Sequence, residues 1–210
     1  MIEITFLDGA TRSYKINSSP HEIASSISDG LARNIISANF NNKTIETSTK
    51  LKKSGKLIFY TWNDSEGKKA FWHSSAHVLA QALENFYPGI KLTIGPAISN
   101  GFYYDVDFGN HVMSEKDFPE IEKKMIEISR NKHVFELESK SKKEALDYYK
   151  EKENQYKIEL INNLDDGTIT FCNHDNFSDL CRGGHIPNTG LIKAVKLLSV
   201  AGAYWKGNQN

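Results

Sequence analysis

The chain has 210 residues, 39% of them hydrophobic and 25% charged, and its 26 basic side chains balance its 26 acidic ones. This composition is typical of an ordinary soluble globular protein with one or two domains, and it excludes a disordered or low-complexity chain. The even charge also excludes a polybasic grip on nucleic acid, so any RNA contact must be local or supplied by other parts of a longer protein.

The sequence contains neither a membrane span nor a signal peptide. No apolar stretch approaches spanning length, and the first nine residues lack a basic head and a long apolar centre. We therefore expect a cytoplasmic protein that does not contact a membrane. Cys172 and Cys181 could form one disulfide, but a cytosolic chain of this size needs none, and we expect free thiols.

The first sixty residues predict a small sheet with one helix. Apolar and polar residues alternate around Asp8-Gly9, which is a strong hairpin signal. An amphipathic helix is predicted next, because Ile23, Ile27 and Leu31 recur every four positions after a serine pair and a proline.

Further strands are predicted after this helix, with turns at Asn41-Asn42 and Ser54-Gly55. The order strand, strand, helix, strands favours a β-grasp (ubiquitin-like) domain over residues 1–61. The polar residues 63–70 predict a linker to a second domain, residues 62–210.

The second domain begins with a helix whose apolar positions repeat at helical spacing from Phe71 to Phe86 and which ends at Pro88-Gly89. The remaining pattern alternates between the two element types, so the domain is predicted to be mixed α+β. In order, it predicts two β segments in 91–108, a charged helix in 114–132, a strand in 133–141, a helix in 142–153, a strand in 154–164 and a mostly strand-like tail from 167 to 207.

Two short stretches about a hundred residues apart hold most of the distinctive chemistry. His73 and His77 lie four apart on the first helix of the second domain, so both imidazoles occupy one face. Cys181 and His185 are also four apart, in a glycine-containing segment. Together these four residues offer three nitrogens and one sulfur, a donor set that suits tetrahedral zinc. A histidine pair alone would more often be a surface or core feature.

Two interpretations as a hydrolase remain open, one with zinc held by these residues and one without metal. The zinc protease motif places a glutamate directly after its first histidine, but Ser74 occupies that position, which argues against a metalloprotease. Without metal, the imidazoles and an ammonium group would surround a water that attacks an ester carbonyl, with Asp179 orienting a partner.

Five blocks in this order resemble the amino-terminal region of the bacterial-type threonyl-tRNA synthetase family. They are HSSAHVLAQAL, IGPAISNGFYYDVDF, ENQYKIELI, DLCRGGHIPNTG and KLLSVAGAYWKG. The resemblance covers essentially the whole chain. It implies a TGS domain in residues 1–61 and, in residues 62–210, an editing domain similar to that of alanyl-tRNA synthetase.

The implied activity is post-transfer editing, the hydrolysis of serine wrongly esterified to threonine tRNA. Serine lacks one methyl of threonine, and such a contact is worth only about 1–3 kcal/mol, too little for faithful selection. The implied partners are the acceptor end of the tRNA and the catalytic and anticodon-binding domains of a full-length enzyme. A non-catalytic RNA-binding module is the alternative from another class.

The resemblance also implies roles for individual residues. His73 and His77 would face the aminoacylated terminal adenosine, and Lys157 would activate or hold the hydrolytic water. Either His73 or Lys157 could take the proton of that water, and His73 is the simpler assumption.

The implied serine pocket is formed by other residues of the same blocks. Cys181 and His185 would line it, with Asp179 binding the serine amino group or orienting an imidazole, and Gly95 and Tyr104 would form its walls.

The two related synthetase types differ in whether their editing domain binds a metal. The alanyl type uses its histidines and cysteine for zinc, whereas the bacterial threonyl type is expected to use ordered water. We therefore expect no cofactor, with zinc at His73, His77, Cys181 and His185 as the alternative. Gly184 stands where many members have proline, which is expected only to loosen the loop.

Overall fold

The structure, a computed structural model, describes residues 1–202 and Trp205. Its α-helices are α1 (Pro20–Ile27), α2 (Asp29–Asn34), α3 (Ser65–Phe86), α4 (Phe118–Arg130), α5 (Lys142–Glu151) and α6 (Gln155–Asn162). Its strands are β1 (Ile2–Thr5), β2 (Thr11–Tyr14), β3 (Ser37–Phe40), β4 (Lys43–Ile45), β5 (Gly55–Tyr60), β6 (Lys91–Leu92), β7 (Ala97–Ile98), β8 (Gly101–Phe102), β9 (Val106–Asp107), β10 (Glu136–Ser139), β11 (Thr170–His174) and β12 (Phe177–Leu180). The predicted mixed α+β class is confirmed.

The first five strands form one sheet in the order β2-β1-β5-β3-β4. Strands β1 and β2 are antiparallel and turn through Gly9, whose φ of 86° favours glycine. Strands β3 and β4 turn through Asn41 and Asn42, both with positive φ, as the sequence predicts. Strand β5 lies parallel to β1, and α1 covers one face of the sheet through Ile23 and Ala24, which are buried.

The first predicted helix is in fact two helices. Ser19 caps α1 and exchanges capping-box hydrogen bonds with Glu22. At Ser28 the backbone becomes extended, and the Ser28 hydroxyl accepts from Leu31 N at 3.0 Å to start α2. Leu31 therefore does not continue the face of Ile23, because a serine side chain caps a new helix more readily than it extends an old one.

The predicted linker over residues 63–70 is wrong, because α3 already begins at Ser65. The carboxylate of Asp64 accepts from Thr61 N at 2.7 Å and from the Thr61 hydroxyl at 2.9 Å, which closes a tight turn before the helix. Gly67 then packs against the Thr61 carbonyl, where a Cβ would lie 2.0 Å from the oxygen. The polar run is thus a helix start rather than a spacer.

The remaining strands and helices enclose two further cores. Helices α3 and α4 pack together over β11, β12 and the segment that follows them, in a cluster that includes Val78, Leu83 and Ile121. The antiparallel sheet β10-β11-β12 carries α5 and α6 on a second cluster around Tyr149 and Phe171. Strands β6 and β9 pair, as do β7 and β8, so residues 91–107 form two small hairpin-like ladders beside α3.

The predicted strand over residues 154–164 is wrong, because residues 155–162 form helix α6. Asn154 caps this helix, its side chain accepting from Lys157 N at 3.0 Å and donating to the Leu92 carbonyl. Lys157 and Ile161 are both buried, at 2% and 0% exposure, one turn apart on the inner face. A buried lysine interrupts the apolar helical period, which is why the sequence pattern was misleading.

The tail also differs from the prediction. After β12 the chain forms the 3₁₀ turn Thr189–Leu191, and the described residues 192–202 form no strand. Residues 203, 204 and 206–210, where the strand-like pattern ends, lie outside the described residues. Among the residues described, no helix is both long and apolar enough to cross a membrane.

Candidate functional site

Helix α3 and the loop after β12 bring four candidate residues into one cluster. His73 and His77 face the same side of α3, with their Nε2 atoms 3.2 Å apart. The Sγ of Cys181 lies 3.3 Å from His73 Nε2 and 3.2 Å from His185 Nε2. The two chemically distinctive stretches of the sequence therefore meet in space.

This cluster is mostly removed from solvent. His77, Cys181 and His185 are 3%, 7% and 0% exposed, whereas His73 is half-buried. A substrate would therefore reach the cluster from the side of His73.

Buried hydrogen bonds fix the Cys181–His185 loop on α3. The Ser74 hydroxyl donates to the Ala70 carbonyl at 2.7 Å and accepts from Ile186 N at 3.0 Å. Ser74 stands where a zinc protease has its glutamate, and here its role is to hold the loop against the helix.

Glu46 adds a carboxylate that the sequence analysis did not identify. It follows strand β4 in the first sheet, and its Oε1 lies 2.9 Å from His185 Nδ1 and 2.8 Å from Gly184 N. No local pattern around Glu46 predicts this contact, because its partners lie about 140 residues further along the chain.

Asp179 and Lys157 form a buried ion pair beside the cluster. Lys157 Nζ lies 2.5 Å from Asp179 Oδ1, and both residues are 2% exposed. The hydroxyls of Tyr104 and Tyr149 donate to the same carboxylate at 2.5 and 3.0 Å. His77 Nδ1 is 3.6 Å from the carboxylate, so Asp179 links the lysine to the histidine pair.

The charges of this pair follow from its contacts. Burial disfavours an ionised Asp179, but the Lys157 ammonium, the nearby His77 and the hydrogen bonds outweigh it and hold the pKa of this carboxyl below its usual value. Burial, followed by the adjacent Asp179 charge, raises the pKa values of Tyr104 and Tyr149 well above the ordinary range. Both tyrosines thus remain hydrogen-bond donors.

Within the cluster, the ionisable groups shift one another. Burial lowers the pKa of His77, which favours a neutral ring. Burial opposes ionisation of Cys181, but the hydrogen bond from Cys172 and the surrounding imidazoles lower its pKa well below the usual thiol range. Burial also disfavours a charged His185, but Cys181 and Glu46 raise its pKa to about 9. A Cys181 thiolate beside a His185 imidazolium is the favoured state.

Cys172 is a second buried thiol next to the cluster, on β11. Its Sγ lies 3.7 Å from His185 Nδ1, and the hydrogen bond to Cys181, followed by burial, raises the pKa of Cys172. Both cysteines are free, as predicted. Cys172 is completely buried.

Gly95 and Tyr104 lie against each other at the edge of the Asp179 site. A Cβ on Gly95 would lie 2.3 Å from the Tyr104 ring, so only glycine lets the ring occupy this position. The structure therefore places all eight predicted site residues in two adjoining groups, one around Cys181 and one around Asp179.

Two surface cavities lie outside this cluster. One of about 380 Å³ lies between α3 and α4, and one of about 650 Å³ is lined by Phe71, Trp62 and Leu191. Neither is lined by the histidines or cysteine of the cluster, although Phe71 is two residues from His73.

The cluster fits a metal ion by its donor set. One atom each from His73, His77, Cys181 and His185 can be chosen so that all four lie within 4.8 Å of one another. Three imidazole nitrogens and a thiolate are ligands that zinc prefers, and the contacts of 3.2–3.3 Å between them are close to the edges of a zinc tetrahedron. The same groups can instead polarise a water without metal.

Comparisons with known proteins agree with the resemblance that the five sequence blocks indicate. Residues 169–210, which include Cys181 and His185, match the family described as threonyl and alanyl tRNA synthetase second additional domain. The whole chain is 60% identical to threonine–tRNA ligase of Flavobacterium psychrophilum and 62% identical to that of Flavobacterium johnsoniae. It is 48% identical to threonine–tRNA ligase of Porphyromonas gingivalis.

These matches cover 100% of the chain but 32% of each relative. The chain thus spans about a third of the length of the curated relatives it matches, and the predicted resemblance to the threonyl-tRNA synthetase family is confirmed over all of that third.

Proposed function

Because the whole chain matches threonine–tRNA ligases, we propose that it is the editing part of such an enzyme and hydrolyses serine esterified to threonine tRNA. The observation that carries this proposal is the meeting of His73 and His77 with Cys181 and His185, beside the buried Lys157–Asp179 pair. Ionisable groups in such an arrangement are suited to activating water and stabilising a developing oxyanion.

In this proposal His73 is the general base. It is the least buried member of the cluster, so it can approach both the ester and a water molecule. Lys157 is less suited to this role, because its Nζ donates to the Asp179 carboxylate at 2.5 Å and has no free lone pair for the proton of water. The lysine instead balances the charge of Asp179, which holds Tyr104 and approaches His77.

Discrimination against threonine is proposed to be steric. The buried Cys181 and His185 leave little freedom for an added methyl group, and Tyr104 is itself held by Gly95 and Asp179. A rigid wall of this kind rejects threonine, because its side chain is larger than that of serine. A synthetic site must accept threonine and therefore cannot exclude the smaller serine by size.

A zinc-dependent deacylase is the second candidate, favoured by the donor set of the cluster. His73, His77, Cys181 and His185 would hold the ion, which would supply Lewis-acid activation of water. Elemental analysis of the purified chain and the effect of a chelator on deacylation separate this candidate from the metal-free one.

The domain assignment is also part of this proposal. The sheet order β2-β1-β5-β3-β4, with parallel central strands β1 and β5 and α1 packed on one face, supports a TGS domain of the β-grasp type over residues 1–61. Residues 62–210 would be the editing domain. The proposed partners are the tRNA acceptor end and the other domains of a full-length enzyme, in the cytoplasm.

The test uses the chain with threonine tRNA preloaded with serine or with threonine. Rapid release of serine with threonine spared is the expected result, and His73→Ala should reduce it strongly. His21→Ala, at an exposed position of α1, is the matched control and should retain activity. Equal release of both amino acids, or undiminished release by His73→Ala, would refute the proposal. RNA binding without any release of amino acid would favour a non-catalytic module.

A further inference from the structure

The carboxylate of Glu46 is directed out of the first sheet and into the loop that carries Cys181 and His185. Its side chain is 8% exposed, and its Oε1 accepts from Gly184 N at 2.8 Å and from His185 N at 3.4 Å. The same oxygen lies 2.9 Å from Nδ1 of the His185 ring. One carboxylate oxygen therefore binds both the backbone and the side chain of the loop.

Among residues near Glu46 in the sequence, its own backbone N–H and Thr49 are the donors that face its carboxylate. The Thr49 hydroxyl reaches the other oxygen, Oε2, at 3.4 Å, which is a long contact. Burying a carboxylate without hydrogen-bond donors is costly. The short contacts of Oε1 are with Gly184 N and His185 Nδ1, which lie 138 and 139 residues further along the chain. The loop therefore supplies hydrogen-bond donors to a buried carboxylate of the first sheet.

Two glycines shape the loop for this contact. Gly183 and Gly184 have φ of 88° and 86°, and a Cβ on Gly183 would lie 3.0 Å from Leu137 and 3.2 Å from Glu46 Oε1. Proline at 184 would have no N–H to donate and would fix φ near about −65°. Gly184 therefore also donates a hydrogen bond that proline could not, which the sequence analysis did not identify.

We infer that Glu46 is a positioning residue of the candidate site, supplied by the first sheet, which orients the His185 ring so that Nε2 faces Cys181. An ionised carboxylate only accepts hydrogen bonds, so the ring nitrogen facing it, Nδ1, must carry a proton. Nε2 is then presented to Cys181 Sγ at 3.2 Å. The role in hydrolysis rests on the proposed function, whereas the orientation of His185 does not.

This gives the amino-terminal sheet an indirect part in the chemistry, through the orientation of His185. Residues 62–210 would contain the histidines and the cysteine but would lack the carboxylate that orients one of them. Glu46 acts through His185 and need not touch the substrate.

The test compares Glu46→Leu, which removes the acceptor, with Glu46→Gln, which retains an acceptor oxygen. Glu3→Gln, at an exposed glutamate of the same sheet, is the control. In the full 210-residue chain, kcat and KM for release of serine from preloaded tRNA are measured, together with the ¹⁵N shifts of the His185 ring nitrogens, assigned with His185→Gln.

The expected result is a fall in kcat of about 10–100-fold for Glu46→Leu, the magnitude usual for loss of a carboxylate that orients a functional histidine, with little change in KM. The His185 ¹⁵N shifts should change in the same variant, Glu46→Gln should recover most of the kcat, and Glu3→Gln should match the unmodified chain. If Glu46→Leu does not fold, Glu46→Asp replaces it, since a carboxylate withdrawn by one methylene should still lower kcat and change the shifts.

Unchanged His185 shifts and kcat in Glu46→Leu, or in Glu46→Asp where leucine prevents folding, would overturn the inference. If the unmodified chain releases no serine, the proposed function fails, but the ring shifts still decide the Glu46–His185 contact. The two failures are therefore distinguishable.

Discussion

Replacing Lys157 with methionine is expected to destabilise the fold by leaving a buried carboxylate without its counter-ion. Lys157 Nζ and Asp179 Oδ1 are 2.5 Å apart, and each residue is 2% exposed. Removing one partner of such a pair costs about 3–5 kcal/mol. The Tyr104 and Tyr149 hydroxyls still donate to Asp179, so we expect the lower end of that range.

The double variant Lys157→Met/Asp179→Asn removes both charges and should recover most of this loss. Urea unfolding at pH 7 gives the free energy of unfolding for the two single variants and the double variant. The control is Lys123→Met, since Lys123 pairs with Glu120 on the exposed face of α4, and it should change stability by less than about 1 kcal/mol.

The pH dependence of the free energy of unfolding tests the same contact. In the unmodified chain the pKa of Asp179 is lowered, so its stabilising contribution is present above the unfolded pKa and is lost as the pH falls through the folded one. Without the lysine, burial raises the pKa of Asp179, and protonation relieves the unpaired charge. The deficit of Lys157→Met should therefore shrink between pH 7 and pH 5.

A loss below about 1 kcal/mol for Lys157→Met, or a double variant no more stable than the lysine variant alone, would refute this reasoning. Either result would mean that Asp179 is stabilised by the tyrosines and not by the ammonium group.

Three further predictions concern the surroundings of the cluster. Burial lowers the pKa of His174 to about 3, so its stabilising contribution is complete above the unfolded pKa and falls with pH below it. His174→Gln should therefore lose about 2 kcal/mol less free energy of unfolding between pH 7 and pH 5 than the unmodified chain. Gly95→Ala should displace the Tyr104 ring and cost about 1–3 kcal/mol by urea unfolding. Ser74→Ala should leave the buried Ile186 N–H without its acceptor, at about 1–3 kcal/mol by the same measurement.

The glycine and serine predictions each have a control variant within the chain. Gly30→Ala, in the first turn of α2 where a Cβ meets nothing closer than 3.9 Å, should be neutral or stabilising. Ser75→Ala removes only a bond to the Phe71 carbonyl of its own helix and should cost less than Ser74→Ala. Equal effects within either pair, or identical pH profiles with and without His174, would contradict the corresponding explanation.

Short-range patterns in the sequence were sufficient for most of the local structure. The turn at Asp8-Gly9 follows from residues that tolerate its backbone, and His73 and His77 share a face because α3 has the period that their spacing requires. Family resemblance then identified the late loop with Cys181 and His185 as its partner.

Tertiary contacts decided the structural features that these short-range patterns could not predict. Residues 155–162 are helical although Lys157 breaks their apolar period, because Asp179 on a distant strand lets that lysine face the interior. Glu46 has no local feature that distinguishes it from a surface glutamate, and only the packing of the first sheet against the Gly184–His185 loop makes it part of the site. A buried charge is stable only beside its partner, and sequence distance carries no information about where that partner lies.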